Sequence, residues 1–235
     1  MSARVNVSGS FLENFDFKIE ADFGANSLSE QSGYRAAITD AYLNWNRFAA
    51  ANVKFGQFKT PFGYEQLTPD PKALTIERSL PNDRLTDGRQ IGLGVAGDFL
   101  KKRVGYSVGV FNGSGVNNSF NDKNEFLYSG RLFGVPVLTK LGQHELRWTV
   151  AVNGLSTRRH RPVQERLRLR HHAAQHARQS FTGGREMFGF DTQLRWGPIG
   201  LEAEHFRARF CQASPGLPTK LSSDGWHVTA TYSSR

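Results

Sequence analysis

Alternation of apolar and polar residues recurs along this chain and constrains its fold more than any other feature. From Phe15 to Phe23 every odd position is apolar, and every even position between them is charged. Successive side chains of a strand point to opposite faces, so this pattern predicts a β-strand with one apolar and one polar face. Similar runs predict about eleven strands, near residues 3–9, 14–23, 37–47, 52–59, 90–99, 103–112, 126–134, 145–153, 187–196, 199–210 and 225–233.

Two all-β architectures fit this alternation, a soluble sandwich and a transmembrane barrel. Most of the predicted strands approach the roughly 9–11 residues that cross a bilayer as tilted strands, whereas strands of soluble proteins average about 5–6 residues. Short and long connections roughly alternate, as they do in bacterial outer-membrane barrels. Aromatic residues also flank the apolar faces, as an interfacial girdle requires, at Phe11, Phe15, Trp45, Phe99, Trp148, Trp196 and Tyr232. We therefore predict an antiparallel transmembrane β-barrel.

Composition narrows the class further. The 235 residues are predicted to form one domain over 1–235, and no run approaches the roughly 18 apolar residues of a transmembrane helix. The single cysteine, Cys211, excludes an intrachain disulfide and a multi-cysteine zinc site. Neither a nucleophile-elbow pattern nor a glycine-rich phosphate loop occurs in the sequence. We predict no enzyme activity, no cofactor and no metal site.

The net charge of +9 is concentrated in one segment. Between Thr157 and Ser180, seven arginines and four histidines accompany a single acid. This part of the chain, about 157–184, is predicted to be a disordered extracellular loop or an aberrant stretch from a locally shifted reading frame. An arginine-rich arm that binds lipopolysaccharide phosphates or RNA is a third interpretation. The histidines at 172 and 176 are four apart, but no acidic or cysteine ligand accompanies them.

A long connection from Thr60 to Arg89 separates two of the predicted strands. Loops beyond about 12–15 residues are commonly functional, so this one could line or plug an opening. With Lys59 and Arg89 counted, it carries five basic and five acidic side chains and is formally neutral. We expect a short helix from Asp70 to about Leu80, with Asp70 as its N-cap and proline at the first position.

Several short segments, in their order along the chain, form a characteristic combination. They are Phe55-Gly56-Gln57-Phe58-Lys59-Thr60-Pro61-Phe62-Gly63, Glu77-Arg78-Ser79, Gly88-Arg89-Gln90-Ile91-Gly92, Gly109-Val110-Phe111-Asn112-Gly113, Tyr128-Ser129-Gly130-Arg131-Leu132, Gly197-Pro198-Ile199-Gly200-Leu201-Glu202-Ala203-Glu204 and Asp224-Gly225-Trp226-His227-Val228. These segments resemble the phosphate-selective porins O and P of Gram-negative outer membranes. The resemblance covers nearly everything except roughly 157–184 and 211–222.

The resemblance implies a homotrimeric, sixteen-stranded barrel in the cell outer membrane, in contact with its lipid and lipopolysaccharide. Inorganic anions such as phosphate or polyphosphate would diffuse passively through a water-filled lumen narrowed by an inward loop, and nucleic acid is not expected as a partner. Eleven strands are fewer than sixteen, and residues 1–4 do not begin a signal peptide. The chain is therefore expected to be an incomplete barrel from a truncated or processed family member.

Anion pores present lysine and arginine toward the water path. The basic candidates are those on the polar faces of predicted strands and those on or beside the long loop, namely Lys18, Arg131, Arg147 and Arg195 in the first group and Lys59, Lys72, Arg78, Arg84 and Arg89 in the second. For each of them a solvated polar face is the competing interpretation. Because the loop is neutral, it favours shaping of the pore over selection of phosphate. An alternative function is a soluble or surface-attached β-sheet module that binds a polyanion through residues 158–178.

Overall fold

Eleven antiparallel strands follow one another in chain order within one sheet. The structure, a computed structural model, describes residues 3–23, 37–75, 77–117, 125–165, 179–212 and 220–233. The strands are β1 (Arg4–Phe11), β2 (Phe15–Asp22), β3 (Ala37–Phe48), β4 (Ala51–Lys59), β5 (Arg89–Phe99), β6 (Val104–Phe111), β7 (Leu127–Leu141), β8 (His144–Glu165), β9 (Gln179–Trp196), β10 (Ile199–Gln212) and β11 (Lys220–Tyr232). The prediction of an all-β antiparallel fold with about eleven strands is confirmed.

In the described ranges each strand pairs only with its neighbours in the chain. The register of β10 with β11, for example, runs without interruption from Ile199 opposite Tyr232 to Cys211 opposite Lys220. Within the described residues no pairing joins β1 to β11, so the sheet is not closed. One face of every strand therefore belongs to a common inner surface and the other to a common outer surface.

Burial of side chains is inverted relative to a soluble protein. On the outer face large apolar side chains are exposed, among them Phe55 at 64% and Trp226 at 70%. On the inner face charged side chains are buried, including Asp191 at 0% and Glu204 at 3%. A soluble sandwich would bury the apolar face, because contiguous exposed apolar surface is unfavourable in water. The inversion is that of a sheet whose outer face meets lipid.

The connections at the two ends of the sheet differ in length. Turns at one end are short, and the one at 100–103 is tight enough to place Leu100, Lys101 and Lys102 in the left-handed region. The longer connections lie at the other end and include the loop of residues 60–88 between β4 and β5. In outer-membrane barrels the short turns are periplasmic and the long loops extracellular. No helix in the described ranges is long and apolar enough to cross a membrane.

Two segments differ from the sequence-based predictions. The helix expected from Asp70 to about Leu80 is wrong: the structure has a 3₁₀ turn at Asp70–Lys72, and the helices are α1 (Tyr64–Leu67) and α2 (Leu80–Leu85). The Asp70 carboxylate binds two arginines instead of capping a helix, and Ala73 is extended. Strands β8 and β9 also continue further than predicted, to Glu165 and from Gln179. Residues 166–178 lie outside the described residues, so disorder or aberrance of 157–184 stays a prediction.

The inward loop and the cation-lined cavity

The loop of residues 60–88, here called the inward loop, is closed at its base and folds over the inner face of the sheet. The Thr60 hydroxyl donates to the carbonyl oxygen of Asp87 at 2.8 Å, and the Thr60 amide donates to that of Gly88 at 3.1 Å. Thr60 is fully buried. These two bonds hold the ends of the loop together, so the residues between them leave the wall as one unit.

Apolar packing seats the inward loop against the wall formed by β8 to β11. Phe62 is fully buried, and its ring lies 5.5 Å from that of Phe206 on β10. Gly189 on β9 permits this approach, because a Cβ there would lie 3.2 Å from Phe62 and 3.0 Å from Phe206. Gly225 on β11 does the same for α2, since its Cβ would lie 2.7 Å from Pro81. Small residues on the wall thus match the bulky residues of the loop.

A buried polar network lies beside this packing. Arg131 on β7 binds both carboxylate oxygens of Asp191 on β9, with Nη2 to Oδ1 at 2.8 Å. Asn153 on β8 accepts from Arg131 at 2.9 Å and donates to Asp191 at 2.8 Å. The same Asn153 oxygen accepts the backbone N–H of Gly63 at 3.2 Å. A desolvated ion pair with its hydrogen bonds satisfied therefore fixes both the wall and the start of the loop.

Ion pairs attach the inward loop to the opposite side of the sheet as well. Asp70 binds Arg4 on β1 and Arg78 within the loop, each at 2.5 Å. Burial would raise the pKa of the Asp70 carboxyl, but the Arg78 and Arg4 guanidinium groups hold that pKa below its ordinary value. On the other side the Ser79 hydroxyl lies 3.1 Å from Nδ1 of His227 on β11. The loop consequently bridges the first and last strands across the inner face.

A cavity of about 530 Å³ lies between the inward loop and the wall formed by β1 to β6. Among the described residues its charged lining has five cations, Arg4, Lys18, Lys54, Lys59 and Arg89, and three carboxylates, Glu20, Asp40 and Asp70. The lining thus has a formal excess of two positive charges. That excess comes from the strands, since the inward loop itself contributes Asp70.

The cations of the cavity fall into paired and unpaired groups. Lys18 and Arg89 both bind Asp40, at 2.9 and 2.6 Å, and Lys18 also lies 2.8 Å from Glu20. Lys54 and Lys59 make no ion pair with a carboxylate of the described residues. Lys54 lies over the Tyr42 ring, 4.4 Å from its centroid, and Lys59 donates to a loop carbonyl oxygen at 2.9 Å. Two ammonium groups therefore retain charge that an incoming anion can neutralise.

The chain matches a known protein family over nearly its whole length. A family model described as phosphate-selective porin O and P matches residues 2–234. The chain belongs to this family. It is an outer-membrane porin and not a member of an enzyme family, which confirms the predicted family, location and lack of enzyme activity. No curated protein matches it. A solved porin structure aligns over 97% of this chain and 91% of its own, at 12% identity and a TM-score of 0.29, too low to add to the assignment.

The nine basic residues predicted from the sequence to be pore candidates lie in four different settings in the porin. Lys18, Lys59 and Arg89 line the cavity, and Arg78 borders it through Asp70. Arg131 is committed to its buried partner. Lys72 and Arg84 are exposed on the inward loop.

Arg147 and Arg195 form the fourth setting. They lie directly opposite each other on β8 and β9, on the same face as the buried Asp191. Arg195 binds Glu202 at 3.1 Å and the hydroxyl of Tyr64 in the inward loop at 3.3 Å. These two arginines lie near the short-turn end of the porin, away from the cations of the cavity.

Two cavity residues of the porin were missed from the sequence. Lys54 alternates with Val53 and Phe55, so strand parity alone places it on the polar face of β4. Arg4 on β1 faces Asp22 on β2 and was detectable in the same way. Both could have been found by extending the alternation argument to every basic residue of the predicted strands.

Proposed function

We propose that this porin mediates passive diffusion of inorganic anions, phosphate among them, through the cavity between the inward loop and the wall. The observation that carries the proposal is that Lys54 and Lys59 make no ion pair within the part of the chain that the structure describes, in a lining that already has excess positive charge. Anion pores work by this kind of electrostatic selection, with binding strong enough to admit the ion and weak enough to release it.

The inward loop supports the proposal by shaping the path. It is anchored to β1 through Asp70 and to β8–β11 through Phe62 and Gly63. Anions would therefore pass beside the lysines instead of through an unobstructed lumen. A fully hydrated path would screen these charges over about 8–10 Å at physiological salt, so narrowing strengthens their effect.

The soluble polyanion-binding alternative is disfavoured by the exposed apolar outer face. Side chains such as Val228, 57% exposed, and Phe188, 56% exposed, require a lipid or detergent environment. Most of the arginine-rich arm on which that alternative depends lies outside the described residues. A homotrimer and contact with lipopolysaccharide remain proposals drawn from the family.

Ion selectivity of the reconstituted porin tests the proposal. Neutralising Lys54 and Lys59 together, as K54Q/K59Q, should lower the chloride-to-potassium permeability ratio measured from reversal potentials in planar bilayers. One unit charge at about 4 Å in water is worth about 1 kcal/mol, so each change should reduce the ratio by about fivefold. Added phosphate should also reduce chloride current less in the double variant than in the wild type.

A matched control uses an exposed lysine at a strand end. Lys140→Gln removes one lysine charge outside the cavity, against two in the double variant, and should leave the ratio unchanged. An unchanged ratio in K54Q/K59Q, or an equal fall in the control, would reject the role of the two cavity lysines.

A further inference from the structure

Three ligand-bearing side chains from different elements meet where the inward loop touches the wall. Glu65 belongs to α1, Glu204 to β10 and His227 to β11. One oxygen of each carboxylate and one imidazole nitrogen all lie within 4.8 Å of one another. The cluster is separate from the cavity, whose lining includes none of the three residues.

The hydrogen bonds around Glu204 leave one of its oxygens unpartnered. Oε1 accepts the backbone N–H groups of Tyr64 and Glu65, the latter at 3.2 Å. Oε2 has no hydrogen-bond partner among the described residues, although Glu204 is only 3% exposed. A buried carboxylate oxygen without a partner is costly, and this one points toward the imidazole of His227.

Ser79 determines which imidazole nitrogen faces the carboxylates. Its hydroxyl donates to Glu65 Oε2 at 2.5 Å, so the same oxygen can only accept from Nδ1 of His227, 3.1 Å away. The Nδ1 atom therefore carries a proton. Nε2 is left facing Glu65 Oε2 at 3.7 Å and Glu204 Oε2 at 3.8 Å.

These two gaps are too wide for direct hydrogen bonds, which have donor–acceptor distances of about 2.7–3.2 Å. They suit a cation held between the three atoms. Ligands about 2.0–2.2 Å from one tetrahedral Zn²⁺ lie about 3.3–3.6 Å from each other, closer than the 3.7 and 3.8 Å from Nε2 to the two carboxylate oxygens. An inward shift of the side chains would bring three ligands onto the ion and leave its fourth position to water.

We propose that Glu65, Glu204 and His227 bind a borderline divalent cation such as Zn²⁺. An imidazole nitrogen with two carboxylate oxygens suits Zn²⁺ and disfavours Mg²⁺, which requires oxygen ligands. Ser79 orients the histidine ring, in the manner of an outer-shell partner. Because Glu65 lies on the inward loop and the other two ligands on the wall, the bound ion pins the loop to β10 and β11.

The test is a Zn²⁺ titration of the full chain, refolded in detergent and washed with chelator, in competition with a fluorescent zinc chelator. The wild type should bind one Zn²⁺ that His227→Ala and Glu65→Gln each weaken by at least about tenfold, and excess Mg²⁺ should not displace it. His205→Ala is the matched control, since this outward histidine is 3.6 Å from Asp224 but exposed. The other histidines and Cys211 are present in every variant, so the comparison removes their contribution.

Folding of each variant is checked by far-UV circular dichroism and by heat-modifiable migration on gels. Should His227→Ala fail to fold, Glu65→Gln carries the test, because that residue lies on the loop and not in the barrel wall. Zn²⁺ binding that neither substitution weakens would overturn the proposal. So would the absence of any Zn²⁺ bound by the wild type.

Discussion

Removing the Phe62 side chain should release the inward loop from the wall. Phe62 is fully buried and belongs to one apolar cluster with Phe206 on β10 and Leu85 in α2. Deleting a buried phenylalanine ring costs about 3–5 kcal/mol. At 1.4 kcal/mol per factor of ten, Phe62→Ala should raise the population of the undocked loop by about 10²–10³-fold.

Limited trypsin digestion measures this population. The bond after Arg84 lies between Asn82 and Leu85, which are buried, so cleavage there requires α2 to leave the wall. When reclosing is faster than cleavage, the rate follows the open population and should rise by the same factor of about 10²–10³. Leu80→Ala is the control, since Leu80 is 69% exposed in the same helix. A folded Phe62→Ala protein cut no faster than wild type would refute the docked-loop geometry.

Two further predictions concern charged contacts. Asp191→Asn should lower the free energy of unfolding of the detergent-folded porin, measured by guanidinium titration, by about 3–5 kcal/mol. The reason is that the substitution leaves Arg131 charged and without its ion-pair partner inside the wall. Acidification should weaken the attachment of the loop to β1. The stabilisation from Asp70 is present above its ordinary pKa of about 3.9 and is lost as pH falls through its lowered pKa. The noise of the pore current should therefore increase in this acidic pH range. Asp70→Asn should remove this pH dependence of the noise.

Controls distinguish these effects from general loss of charge. Asp224→Asn should change the stability by less than about 1 kcal/mol, because its contact with Arg207 is 3.8 Å long and exposed. An Asp191→Asn variant as stable as this control would contradict the role of the buried pair. Noise that increases over the same pH range in Asp70→Asn would place the titrating group elsewhere.

The period-two alternation of apolar and polar residues predicted most of the fold. It placed the eleven strands in order, and it assigned Lys18, Arg131, Arg147 and Arg195 to the polar faces that the structure shows as the inner surface. The alternation of odd and even positions predicts the facing of side chains here, because lipid outside and polar contacts inside require opposite polarity at successive residues of a strand. The same alternation also places Lys54 on the polar face of β4, where it lines the cavity.

Contacts distant in sequence limited what could be predicted. Asp70 does not cap a helix because Arg4, on a strand far earlier in the chain, binds its carboxylate. Glu65 and Glu204 are 139 positions apart, and only the path of the inward loop brings them together with His227. The neutral charge of the loop favoured pore shaping over selection of phosphate, and this stays a prediction. The loop count included Lys59 and Arg89 but left out Arg4, Lys18 and Lys54, the strand residues that complete the cations of the cavity.

The zero-current potential across a KCl gradient tests the central claim most directly. The wild-type porin, reconstituted in a planar bilayer, should conduct, and the sign of the potential should show chloride permeating faster than potassium. That result follows from the excess positive charge of the cavity lining and the two unpaired lysines. A potential of the opposite sign, or one of zero across an open conducting pore, would contradict an anion pathway along this cavity.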